Sequence, residues 1–139
     1  LKPKFNNVKT KKMKKVAYVF ITLLLLSCNS DESAENLLNG KWNWVSSSGG
    51  IVGKTMTPAS ENKTIVLEFY NSIMTKYENG NLVSEDPFSV ETRESIMGGE
   101  RKMIIIDNSE AQSFEIIGKK LYLSDECYDC YQYEYELIK

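Results

Sequence analysis

Cys127 and Cys130 are the residues of this sequence best placed to do chemistry, because Cys-x-x-Cys is the spacing of a redox dithiol, half of a zinc site or a short disulfide loop. A reactive thiol needs a nearby cation or a helix N-terminus to lower its pKa. Asp125, Glu126 and Asp129 instead surround the pair with negative charge, which works the other way. Zinc would need two further soft ligands, and the chain has no histidine and no second cysteine pair. A structural disulfide between Cys127 and Cys130 is the reading these residues favour, with redox activity and free thiols as the alternatives. It would stabilise by only about 2 kcal/mol across so short a loop, and it implies an oxidising compartment.

The absence of histidine also removes the commonest general base and nucleophile activator. Carboxylate pairs remain. Glu85 and Asp86 are adjacent on an expected strand and must point to opposite faces, while Glu134 and Glu136 share a face that should be solvated. The acids around Cys127 and Cys130 lack the spacing of a calcium loop, and Gly98-Gly99 precedes no helix that could hold a phosphate. The expectation is therefore no enzyme, no catalytic residue, no metal and no cofactor.

The aromatic residues offer a different capacity. Trp44, Phe69, Tyr77, Phe88, Tyr133 and Tyr135 could line a cavity for a small apolar ligand, or simply fill a core, as aromatics at a period of two more often do.

The N-terminal region is a different kind of polypeptide from the rest. Seven lysines precede residue 16, and none of the 19 carboxylates lies before Asp31. Between them Val16 to Leu26 gives eleven uncharged residues, the length of a signal-peptide core and about half of a membrane span. Leu25-Leu26-Ser27-Cys28 then resembles a lipobox, the motif at which lipoprotein signal peptidase cuts so that the cysteine becomes a lipidated N-terminus. That resemblance implies that residues 1–27 are a leader, that Met13 is its natural start with residues 1–12 an upstream extension, and that Cys28 carries the lipid. Multiple acyl chains anchor stably, so the membrane is the expected partner through lipid alone.

From Cys28 onward ten basic residues face all 19 acidic ones, a net charge of −9. Such a domain repels nucleic acid and anionic lipid, so no nucleic-acid partner is expected. Residues 28–36 read as an acidic flexible tether reaching about 25 Å. Its serine and acids directly after Cys28 also resemble an export tag for the outer membrane. The expected location is the bacterial cell envelope, with the outer membrane favoured and its face left open.

Residues 37–139 form the folded domain. From Lys41 the hydrophobic pattern has period two, broken by Gly, Asn and Asp, which predicts eight antiparallel strands at 41–48, 63–70, 72–78, 81–93, 102–107, 111–117, 120–124 and 131–138. Asn79-Gly80 marks a type I′ hairpin, and Pro87 should bend its strand or confine it to an edge or bulge. Helix is expected only as a single turn at 35–39. Short connections favour a meander, and eight strands in a meander can pair first to last. The predicted fold is all-β, an antiparallel up-and-down eight-stranded barrel.

Leu37-Leu38-Asn39-Gly40-Lys41-Trp42, a short turn followed by Gly-x-Trp, resembles the opening of the lipocalin family, and the whole region is similar to lipocalin-like domains of bacterial lipoproteins. The resemblance implies that Gly40 and Trp42 close one barrel end. It lacks the arginine that lipocalins place on the last strand over that tryptophan; Lys139 is the nearest cation. Two functions follow: a tethered barrel that binds a small apolar ligand or serves as an envelope accessory, or an interaction module with a solid barrel and a protein partner not yet known. An apolar void favours the first and a packed interior the second.

Overall fold

The computed structural model describes residues 30–107 and 109–138, with side chains from residue 34. Helix α1 (Ser30–Leu38) leads into β1 (Gly40–Gly49), followed by a short strand β2 (Lys54–Met56) and one turn of helix, α2 (Pro58–Glu61). The remaining strands are β3 (Ile65–Tyr70), β4 (Ile73–Glu78), β5 (Asn81–Glu94), β6 (Glu100–Ile106), β7 (Gln112–Ile117), β8 (Lys120–Asp125) and β9 (Tyr131–Ile138).

Every long strand pairs antiparallel with its neighbour in sequence, and β1 also pairs with β9, from Lys41 opposite Ile138 to Gly49 opposite Tyr131. The result is the expected closed eight-stranded up-and-down barrel, with β2 added beside the far end of β1. From Ser48 the ladder runs through Gln132, Ser124, Ser113 and Met103 to Glu91, whereas from Gly40 it runs the other way through Phe69 and Met74 to Asp86. A circuit therefore climbs along the strands, the stagger that a tilted closed barrel requires.

Local chemistry explains the joints. Asn79 and Gly80 both adopt positive φ in the turn between β4 and β5. Pro87 is the last β5 residue paired with β4, and from Phe88 onward β5 pairs with β6. A residue without an N–H stands where the ladder changes partner. In the long connection after β1, Thr57 and Ser60 form a reciprocal capping box around α2, with Pro58 at its start.

Two expectations need correction. The segment read as flexible tether to residue 36 is helical from Ser30, because Ala34 and Leu38, one turn apart, are fully buried against the barrel. Cys28 and the leader lie outside the described residues. On β1 a bulge between Trp44 and Ser46 shifts the alternation, and Ser47 is buried beyond it. Tyr77, expected at a cavity or core, does not face inward, because on β4 the inward face is Met74 and Lys76: Lys76 lies opposite buried Leu67, and Met74 packs on the core. Tyr77 consequently stands on the outer wall.

Candidate functional site

The two barrel ends differ. Helix α1 lies at the end where β1 begins, and Trp42, 2% exposed, donates its indole N–H to the Leu38 carbonyl at 2.7 Å. That carbonyl belongs to the last helical turn and has no partner within the helix, so one bond satisfies two buried groups. Glu35 fastens the helix from outside, accepting from Ser72 Oγ at 3.0 Å and from the Val90 N–H at 3.3 Å. Gly40 has φ +136°, and a Cβ there would sit 3.0 Å from Leu137 Cδ1. Gly40 and Trp42 both stand at this end of β1.

Of the six residues expected around a cavity, Trp44, Phe69, Phe88 and Tyr135 join one buried cluster with Trp42, Leu67, Leu121 and Leu123. Phe69 and Phe88 pack edge to face, ring centroids 5.2 Å apart. Tyr133 is half-buried toward the other end. Tyr77 is turned away from the cluster and lines a shallow outer groove of about 320 Å³ with Lys41, Val66 and Ile138. Trp44 Nε1 is buried with no hydrogen-bond partner among the described residues.

At the end away from α1 the groups are polar and tied together. Asp125 accepts from Gln112 Nε2 at 2.7 Å, Tyr133 Oη at 3.2 Å and the Tyr131 N–H at 3.4 Å. Burial first, and then the Asp125 charge, push the Tyr133 hydroxyl up to about 12. Burial also raises Tyr135. Cys127 and Cys130 are joined, with Cα atoms 5.5 Å apart. Gly49 packs so closely on that loop that a Cβ would collide with the Cys130 carbonyl oxygen and stand 2.8 Å from Tyr131 Cα.

No family model, curated protein or solved structure matches this chain.

Sequence reasoning named Glu126 only among the acids around Cys127 and Cys130, and gave no sign of the contacts it makes. Its carboxylate accepts from Ser95 Oγ at 3.2 Å and the Ile96 N–H at 3.0 Å, and the nearby Ser113 hydroxyl also favours its charged form. Burial alone would raise its pKa, but these three donors and the field of Arg101 outweigh it and hold the carboxyl below its ordinary value. The clamp folds the β5–β6 turn back beside β7. Met103 and Ser113, paired on the barrel's outer face, are there 2% and 4% exposed. This accounts for the apolar character of both faces of β6. The clamped turn and the disulfide loop are neighbours, because Cys127 follows Glu126 directly.

Proposed function

We propose that this protein is a lipid-anchored accessory of the bacterial cell envelope, a lipocalin-like barrel without catalytic activity that works as an interaction module. The lipobox-like LLSC at Cys28 supports the anchor, and the Gly40–Trp42 closure beneath α1 supports the lipocalin likeness. A single observation carries the choice of interaction over ligand transport: the aromatic side chains that could have lined a cavity occupy the core themselves. Trp44, Phe88 and Tyr135 are no more than 5% exposed, and Phe69 is fully buried. A barrel of eight strands has room for its own side chains or for one small ligand.

One observation favours a second reading, that a small apolar molecule enters next to Trp44. An unpaired buried indole N–H costs about 1 to 3 kcal/mol, which a ligand acceptor could recover. The two readings separate on organic extraction of protein purified from its own membranes. A solid barrel releases only its covalent acyl chains on base treatment, and a stoichiometric extracted small molecule would replace the interaction reading. The anchor is tested by Cys28→Ser, which should move the protein to the soluble fraction; continued pelleting with membranes would show that the lipobox was misread.

A further inference from the structure

Strand β5 serves two neighbours in turn, pairing with β4 through residues 81–87 and with β6 through residues 88–94. Each half therefore has one side with no strand beside it. The chain covers the second half itself: the Phe88 N–H donates to the Ser72 carbonyl at 2.9 Å, and the Val90 N–H to Glu35 at 3.3 Å. The first half is left open. β6 ends at Ile106, opposite Phe88, and the chain turns back there, the Ser109 N–H bonding to the Ile106 carbonyl at 3.1 Å. Among the described residues no hydrogen bond reaches residues 82–87 from the side away from β4.

Backbone groups along a strand point alternately to its two sides. Because the Phe88 and Val90 N–H groups point to the β4 side, the Glu85 N–H and carbonyl and the Pro87 carbonyl point to the open side. Pro87 has no N–H to leave unpaired there, which is how a sheet edge tolerates proline. A register shift between Lys76 and Tyr77 leaves Val83 without a β4 partner, and Leu82 and Val83 are 60% and 55% exposed. Tyr77 on the outer wall lies in register between Val66 and Leu82, so the wall beside the edge is apolar.

The charge of this edge selects what can pair with it. Glu85, and Asp107 and Glu110 of the turn that follows β6, are exposed and make no ion pair among the described residues. Neither residues 81–87 nor that turn contains a lysine or arginine, and Lys76, opposite Ser84 on β4, faces the barrel interior. Proline, a bulge and like charge are the devices that keep sheet edges from joining one another. Two copies meeting edge to edge would set acid against acid. Lipid tails would leave the outward backbone groups without hydrogen bonds.

We propose that the open edge of β5 at residues 82–87 takes an extended segment of a partner protein as an added strand, with lysine or arginine beside Glu85 and apolar side chains against Leu82 and Val83. This rests on the interaction reading above and names its surface and its partner's chemistry. Main-chain hydrogen bonds supply the affinity, and the acids reject like edges while steering a basic one.

Photo-crosslinking in the native cells, with the full chain, tests it. A benzoylphenylalanine is placed at Val83, and separately at exposed Gln132 on the outer wall as a control; each adduct is identified by mapping its peptides. The expected result is one protein captured from Val83 through a segment carrying Lys or Arg beside apolar residues. The deciding comparison is Glu85→Pro against Glu85→Gln. Both remove the charge, but only proline removes the outward N–H and blocks an added strand, so its yield should be roughly tenfold lower, the effect of about 1.4 kcal/mol. Circular dichroism and melting temperature of both variants exclude loss of fold as the cause. Glu85→Lys, which keeps every bond to β4, decides the matter should the proline variant not fold: its yield should also fall roughly tenfold below that of Glu85→Gln. Equal yields for Glu85→Pro and Glu85→Gln, a yield indifferent to Glu85→Lys, or adducts with lipid or with the chain itself at Val83 overturn the proposal. Capture only from Gln132 removes the edge and leaves the interaction reading standing, and capture from neither position removes that reading too.

Discussion

Replacing Trp42 with alanine probes how the closed end of the barrel is made. The side chain is 2% exposed in the main core, between β3 and β9, with Leu67 opposite on one side and Leu137 on the other. Removing the indole takes away burial of some 150 to 250 Å² and leaves a cavity that a closed barrel cannot collapse to fill. The loss should be about 3 to 5 kcal/mol. Trp42→Phe keeps most of the packing but strands the Leu38 carbonyl that now accepts at 2.7 Å, and should lose about 1 to 3 kcal/mol. Equilibrium urea unfolding, followed by circular dichroism and by the remaining fluorescence of Trp44, gives both values. A Trp42→Ala loss below 1 kcal/mol would refute the claim that this residue joins α1 to the barrel.

Other consequences are equally direct. Gly49→Ala should destabilise by about 1 to 3 kcal/mol, because its Cβ must push β1 away from Cys130 and Tyr131. Gly53→Ala, with open space around it and φ +65°, should lose only the left-handed backbone penalty of about 1 kcal/mol. Equal melting temperatures for the two variants would contradict the close approach at Gly49. The folded state raises the Tyr133 pKa, so its contribution to stability is complete below pH 10 and is lost as pH rises toward about 12. Tyr133→Phe should weaken that alkaline loss, read by tyrosinate absorbance alongside unfolding. Glu126 has the opposite sign: its pKa is depressed on folding, so its contribution is present above 4.5 and disappears as acid protonates the folded carboxylate. The protection factor of the Ile96 amide, its exchange rate relative to the unstructured rate at the same pH, should fall there, and a protection factor that ignores acidity would remove the clamp.

The strands were legible because most expose one face: Ile65, Leu67 and Phe69 on β3, and Tyr133, Tyr135 and Leu137 on β9, alternate without interruption. Asn79-Gly80 marked its turn by the backbone conformation it permits. Alternation does not say which face turns inward when both carry apolar residues. On β4 the aromatic Tyr77 suggested one face, and the register with Leu67 selected the other. The last turn of helix α1 was legible at 35–39, but its start at Ser30 was hidden because only Ala34 and Leu38 of its described side chains are fully buried, too few for a helical period to stand out. The Glu126 clamp is harder still. It joins Ser95, Ile96 and Ser113, which come together only through the stagger of the closed barrel and the bend of the β5–β6 turn, and neither leaves a local trace.

The central claim is that the barrel is filled by its own side chains and serves as a scaffold for contact. Native mass spectrometry of the protein released gently from its own envelope tests it most directly. The account predicts one mass, that of a chain beginning at Cys28 with its acyl groups and no small molecule held inside. A stoichiometric additional mass that leaves only on unfolding would contradict it.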